Sequence, residues 1–304
     1  MKDSALKRFL IKKYEYLYEE KRILNLRLKY HLNVMDSDTT IDYVLKNKCS
    51  VARFGDGEFK LMLKTDDIGF QKRNDKLADR LFDVLDSPDK NLLVCVPSTM
   101  NTVKGCSEDA RNYWLEWGKV KNNHINVVNM LRQHCGKYRF GDTEMTRTYI
   151  DWEGDERAKR LYPKLKKLWD NEDVLFIEGE QTRLGIGNDL FDNVKSVQRI
   201  LAPATNAFEA YDRILEAGKK YGKDKLIIIA LGPTATVLAH DLAKSGFRAM
   251  DVGHIDIEYE WFKLGTKTRV AIEGKYTNEA KGWTSVADCT DETYLDQIVE
   301  KIDC

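Results

Sequence analysis

In the stretch Arg53-Phe54-Gly55-Asp56-Gly57-Glu58-Phe59, two acids stand one residue apart between glycines, directly after a short β-like run. Carboxylates at such a corner can point the same way, and the glycines let a ligand approach the backbone. Hard oxygen donors of this kind suit Mn²⁺ or Mg²⁺, which keeps several waters and is completed by substrate phosphates. Acids at a helix N-terminus also serve as ordinary caps and dipole partners, so the spacing alone leaves both readings open. A second cluster, His254-Ile255-Asp256-Ile257-Glu258, alternates polar and apolar residues. Extended, it puts three polar side chains on one face; coiled, it pairs His254 with Glu258. One imidazole among carboxylates fits Mn²⁺ better than structural zinc, which makes His254 a third candidate metal ligand beside Asp56 and Glu58.

Phosphate-binding features come next. Gly232-Pro233-Thr234-Ala235-Thr236 follows an apolar run and opens a helix-like one. A helix N-terminus offers free N–H donors and a favourable dipole, though the same residues also make an ordinary strand-to-helix turn. Arg53, beside Gly55, and Arg183 carry guanidinium forks that could meet a pyrophosphate or pair with neighbouring acids. Two nucleotide motifs are ruled out. The chain has no GxxxxGK[ST] loop, and Gly185-Ile186-Gly187-Asn188-Asp189-Leu190 ends in Leu where a dinucleotide fingerprint needs Gly or Ala.

The fold has to bring these clusters together. Residues 51–54, 92–96, 174–177, 197–201, 226–231 and 248–252 read as strands, several of them continuous apolar runs of the kind found in a sheet covered on both faces. Residues 75–85, 157–169, 207–217 and 235–244 read as helices, the last entered through Gly-Pro-Thr and left through Ser-Gly. This rhythm predicts an α/β chain with a Rossmann-like, doubly wound, mostly parallel sheet, whose ligands lie beyond the C-terminal strand ends. Polar residues follow the strands at 55–58, 178–183, 203–206 (ending in Asn206), 232–236 and 253–258, so one crevice would collect all five. Residues 98–152, with Trp114, Trp117 and Trp152 but no clear rhythm, predict an inserted helical region.

Composition narrows the function. Lys+Arg and Asp+Glu both number 49, which argues against a polyanion partner such as nucleic acid. The imbalance is local: residues 1–31 carry nine Lys/Arg against four Asp/Glu. Leu10, Tyr14, Leu17, Leu24 and Leu28 recur there at helical spacing. This predicts a basic amphipathic helix (1–31) before a single domain (32–304), packing on the body, on a second copy or on an anionic membrane surface. No apolar run approaches the roughly 20 residues of a membrane span, and the N-terminus lacks a signal-peptide core, so the expected location is cytoplasmic or membrane-peripheral. The six cysteines show no CxxC spacing and read as reduced structural thiols.

Taken in order, "RFGDGEF", "IEGEQTRLGIGNDLFDN", "RILAPATNAFEAYDRIL", "LGPTATVLAHDLAKSGFRAMDVGHIDIEYEWF" and "KYTNEA" resemble the GT-D-type bacterial glycosyltransferases across 51–280. The resemblance implies a metal-dependent enzyme with a DxE motif, which falls on Asp56 and Glu58. It implies a UDP-sugar donor, commonly UDP-glucose, and a glycan acceptor on a surface glycoprotein or polysaccharide. Asn206 and the Gly232, Pro233 and Thr234 loop would then hold nucleoside and phosphate. Glu258, with Asp256 beside it, is the candidate base for the acceptor hydroxyl. Two rivals remain open on sequence: a metal-dependent phosphohydrolase, and a non-catalytic nucleotide-sugar-binding subunit docked through the basic helix.

Overall fold

The computed structural model describes residues 2–29, 32–65, 67–86, 89–277, 279–280 and 286–303, without the side chains of residues 2–5, 20, 23, 24 and 26–29. Among the described residues, eight strands form one sheet: β1 (Ser50–Arg53), β2 (Leu92–Val96), β3 (Gly141–Asp142), β4 (Asp173–Gly179), β5 (Ser196–Ala202), β6 (Leu226–Ala230), β7 (Arg248–Asp251) and β8 (Ile298–Lys301). Their order is β3-β2-β1-β7-β6-β4-β5-β8, and every pairing is parallel. The predicted doubly wound α/β fold is therefore present, and all six predicted strands fall within it.

Alternation along the strands divides the core. Ala52, Val94, Leu175, Ile177, Ile227 and Ile229 face one side, where they pack under the helices Asp75–Asp86, Asn123–Cys135, Tyr211–Tyr221 and Pro233–Lys244. Val51, Leu93, Val174, Phe176, Ile228 and Met250 face the other, under Ser37–Asn47, Glu156–Lys166 and Ile255–Leu264. Burial on both faces explains why these strands read as apolar runs rather than alternating ones. The inserted region contributes the helices Glu108–Lys119 and Asn123–Cys135, whose Trp117, Val127, Val128 and Leu131 belong to the first core.

Local chemistry sets the element ends that matter here. Ser107 caps the helix Glu108–Lys119 by accepting from Ala110 N, and Pro233, with no N–H to lose, takes the first position of its helix. The chain runs outward through β1, β2 and β3, then returns so that β7 lies beside β1, with Val51 opposite Met250. That reversal leaves a crevice above β1 and β7, where an open parallel sheet takes its ligands.

Candidate active site

Two adjoining cavities occupy this crevice. A cleft of about 690 Å³ is bordered by Arg53, Asp56, Glu58, Lys60, Tyr113, Trp114, Arg147, Asp251, Arg269 and Glu279, among others. A slot of about 80 Å³ lies beyond β4 to β7, bordered by Gly179, Thr182, Pro203, Asn206, Ala230, Asp256 and Tyr276. Phe70, Gly232, Gly253 and His254 border both. The cleft alone falls within the roughly 300–1,000 Å³ usual for ligand sites.

Asp56 and Glu58 sit in the first turn of the helix Asp56–Met62. Glu58 folds back so that Oε2 accepts from Gly55 N at 2.6 Å, a capping contact. Burial, then the charges of Asp251 and Asp56, pushes its carboxyl up to about 7 against that N–H. Asp56 Oδ2 accepts from Lys60 Nζ at 2.7 Å and from the Tyr113 hydroxyl. Burial opposes charge on Lys60, but the Asp56 carboxylate prevails and holds its pKa above the ordinary value. Glu58 thus caps its helix and also borders the cleft.

At the mouth of the crevice, Arg53 Nε lies 3.3 Å from Asp251 Oδ1, bridging the ends of β1 and β7. A Cβ on Gly253 would lie 1.8 Å from Arg53 Nη2, so the guanidinium rests directly on that glycine, whose φ is +51°. Opposite, Arg147 donates to both oxygens of Glu279, at 2.8 and 3.0 Å, and to Asp151 at 2.9 Å. Arg269 donates to Glu279 Oε2 at 2.8 Å and to Asp151. Against the penalty of burial, these arginines hold Glu279 well below the usual carboxylate range.

The structure also redistributes the sequence candidates. His254 is the N-cap of the helix Ile255–Leu264, with Nδ1 3.6 Å from Glu279 Oε1 and burial lowering its pKa. Among the described residues, no three His, Cys, Asp or Glu side chains gather closely enough to hold a metal ion unaided, so His254 does not complete a set with Asp56 and Glu58. Because the 255–264 segment is helical, its polar residues diverge. Asp256 borders the slot, where it accepts from Gly185 N, Asn188 Nδ2 and Lys275 Nζ. Glu258 is fully buried: Oε2 accepts from Tyr149 N and Ile150 N at 3.0 and 3.1 Å, and Oε1 lies 3.7 Å from Arg147 Nη2. That placement clamps the 149–150 turn, and Glu258 borders neither cavity.

Arg183 is corrected as well. Its guanidinium donates to the carbonyls of Gly274 and Ala287, and it borders neither cavity. Asn206 accepts from Lys72 N at 2.9 Å and turns that loop against the slot. Of the Gly232 to Thr234 loop, only Gly232 borders the cavities, against Phe70; Pro233 and Thr234 are buried behind it. Lys60, Phe70, Tyr113, Arg147, Asp151, Asp251 and Arg269 were not read from sequence. Asp251 had a signal, a charged residue closing an apolar strand, and Glu279 lies inside the quoted "KYTNEA".

The cleft's composition tests the implied cation. Among the described residues, eight carboxylates border it against four Lys or Arg side chains, an arrangement hostile to a diphosphate arriving alone. Asp56 Oδ1 and Glu58 Oε1 make no hydrogen bond to another described residue. Two such carboxylates fit Mg²⁺ or Mn²⁺, which takes few protein ligands and leaves positions for water and phosphate.

Residues 51–280 match the glycosyltransferase GT-D fold family. The chain is 36% identical over 272 residues to glycosyltransferase GlyD of Streptococcus pneumoniae serotype 4, covering 89% of this chain and 33% of that protein. It is 35% identical over 272 residues to a probable glycosyl transferase, Gly, of Streptococcus gordonii, covering 89% of this chain and 39% of that one. It therefore spans little more than a third of the length of these curated relatives. A solved structure described as a highly conserved domain of unknown function with a distinct glycosyltransferase fold superposes with a TM-score of 0.83 at 34% identity, covering 94% and 99% of the two chains. A structure described as a new glycosyltransferase from Streptococcus sanguinis gives 0.80 at 35%, covering 90% and 100%.

Proposed function

The chain belongs to the glycosyltransferases of GT-D fold, and from that premise we propose that it transfers a hexose, with glucose as the first candidate, from a UDP-sugar to a glycan acceptor. The observation that carries this reading is the joining of the two cavities at the β1/β7 crevice. In it, the base edge of the nucleoside enters the slot between the β4 to β7 loops, past Asn206 and Phe70, while the ribose stays in the cleft. The diphosphate and sugar lie in the acid-rich cleft. Asp56 and Glu58 would hold a Mn²⁺ or Mg²⁺ ion, which when bound supplies positive charge to the departing nucleoside diphosphate.

The protein's own part is positioning and charge. Arg53 is fixed by Asp251 at the mouth of the crevice, where a guanidinium can face phosphate oxygens. Lys60 and Tyr113 hold the Asp56 carboxylate in one orientation, so little reorganisation is needed when charge develops. The Arg147, Arg269, Asp151 and Glu279 network stiffens the facing wall, which leaves the sugar between two preorganised surfaces.

The test is UDP release from a panel of UDP-sugars with Mn²⁺, with and without chelator, for wild type and Asp56→Asn. Release from one donor that falls about 100-fold or more with chelator and with Asp56→Asn is the expected result. Phosphate release from simple esters without a sugar donor would instead favour a phosphohydrolase. UDP binding with no turnover, even with glycan acceptors supplied, would favour a binding subunit.

A further inference from the structure

The N-terminal helix, Lys2–Lys29, is seated on the body over part of its length. The Tyr16 ring lies 5.1 Å below the Arg111 guanidinium and packs on the cluster of Val103, Cys106, Ala110 and Leu115. Glu19 is buried and paired with Arg22 at 2.6 Å, and Arg22 reaches Gly118. Before these contacts residues 6–15 are all exposed: Leu6, Leu10, Tyr14 and Leu17 follow one another at helical spacing and are 54–72% exposed, Ile11 and Tyr18 lie beside them at 47% and 58%, and Phe9, a heptad before Tyr16, is 62% exposed. Leu24 and Leu28, which continue the spacing in sequence, lie outside the described side chains.

Seven large apolar side chains bared on one helix form an interaction surface, since monomeric proteins seldom leave such a patch uncovered. Charge identifies the occupant. Residues 6–18 interleave these side chains with Lys7, Arg8, Lys12 and Lys13 against a single acid, Glu15. A second copy is a poor match. Lys7 and Lys21 continue the Leu10, Tyr14 and Leu17 stripe at heptad spacing, and a parallel pair would stack each lysine on its own counterpart. An anionic lipid surface satisfies both halves of the pattern, taking the apolar side chains below the headgroups and the lysines among them.

We propose that the outward face of the Lys2–Lys29 helix binds the surface of an anionic bilayer. Among the described residues, no helix is long and apolar enough to cross a membrane, so the attachment is peripheral. Because Ala110 and Trp114 both contact or border the cleft and belong with the patch that seats Tyr16, the bound helix would lie close to the cleft wall.

The experiment is co-sedimentation of the full chain with phosphatidylcholine vesicles, with and without about 30% phosphatidylglycerol. Wild type should pellet with the anionic vesicles at least ~10-fold more than with the neutral ones, and raising NaCl from about 50 to about 500 mM should release it. Leu10→Gln with Leu17→Gln, and separately Lys12→Glu with Lys13→Glu, should each abolish pelleting. All four side chains are exposed, so thermal unfolding of both variants should match wild type. Equal pelleting with both vesicle types, none with either, or full pelleting by folded variants would overturn the proposal. So would a wild-type dimer in solution that Leu10→Gln with Leu17→Gln turns into monomer, since the face would then belong to a second copy.

Discussion

Gly253→Ala tests whether the Arg53 guanidinium is pinned where the proposed donor phosphates lie. Gly253 has φ +51°, and the added Cβ would lie 1.8 Å from Arg53 Nη2 and 2.8 Å from Cζ. Restoring ordinary contact at about 3.5 Å requires the guanidinium to retreat by about 1.7 Å. That movement loosens the 3.3 Å pairing with Asp251 and the hydrogen bond to Thr146 Oγ1. A left-handed alanine costs about 1–2 kcal/mol. Breaking a buried ion pair outright costs about 3–5 kcal/mol, but a flexible arginine can shift rather than let go, so about 1–2 kcal/mol of that is expected. The total is about 2–4 kcal/mol, or roughly 3–6 °C in Tm for a chain of this size. Gly187→Ala is the control: φ is +82° and nothing lies within 4 Å of its added Cβ, so it carries only the backbone cost of about 1–2 kcal/mol. Thermal unfolding of both variants, with donor KM measured beside it, should show Gly253→Ala less stable than Gly187→Ala and at least ~10-fold weaker in KM. Equal losses of stability and an unchanged KM would refute the pinning of Arg53.

Other residues give independent checks. Burial, with the Arg22 charge adding to it, lowers His124 from 6.5 to about 4. The unfolded chain therefore takes up the proton first: this contribution to stability is present above pH 6.5 and is lost as the pH falls towards 4, to the extent of about 3 kcal/mol. His124→Gln should have a correspondingly shallower acid slope in urea midpoints measured at pH 4.5 and 7.5. Arg199 bonds Glu178 at 2.6 Å with both side chains buried, and lies between the rings of Phe176 and Tyr294. Arg199→Met should cost about 3–5 kcal/mol in urea unfolding, and adding Glu178→Gln should recover at least half of it by removing the stranded charge. Glu258→Gln separates clamp from base. The clamp reading expects a loss of about 1–3 kcal/mol in stability, with residual turnover that follows the folded fraction. A base would lose kcat while its unfolding curve stayed unchanged.

The fold was legible wherever burial on both faces wrote itself into the sequence. Strands β2, β4 and β6 are largely apolar because helices cover both sides, and with β1, β5 and β7 their ends lie within two residues of the reading. Strand β3 has two residues and β8 is a half-exposed Ile-Val-Glu-Lys edge, so neither leaves a pattern. The helices Glu108–Lys119 and Asn123–Cys135 lie in the region read as helical but without bounds, because tryptophans and polar residues mix there without a clean stripe, although Trp117 packs against Phe59 in the core.

The site divides along the same physical line. Asp56 and Glu58 could be placed at the crevice because glycines around acids at a strand-to-helix corner are a local pattern, although that spacing alone leaves capping and metal binding both open. The facing wall obeys no local rule: Arg147 meets Glu279 across 132 residues, and Arg269 meets Asp151 across 118. His254, Asp256 and Glu258 show how a local pattern misleads. Their alternation suggested one shared face, but the segment is helical from Ile255 and each side chain goes elsewhere: to Glu279, to Lys275 and to the 149–150 turn. The sequence placed this acidic cluster at the correct end of β7, but only tertiary packing decided that its deepest member holds backbone together while its first member reaches the crevice.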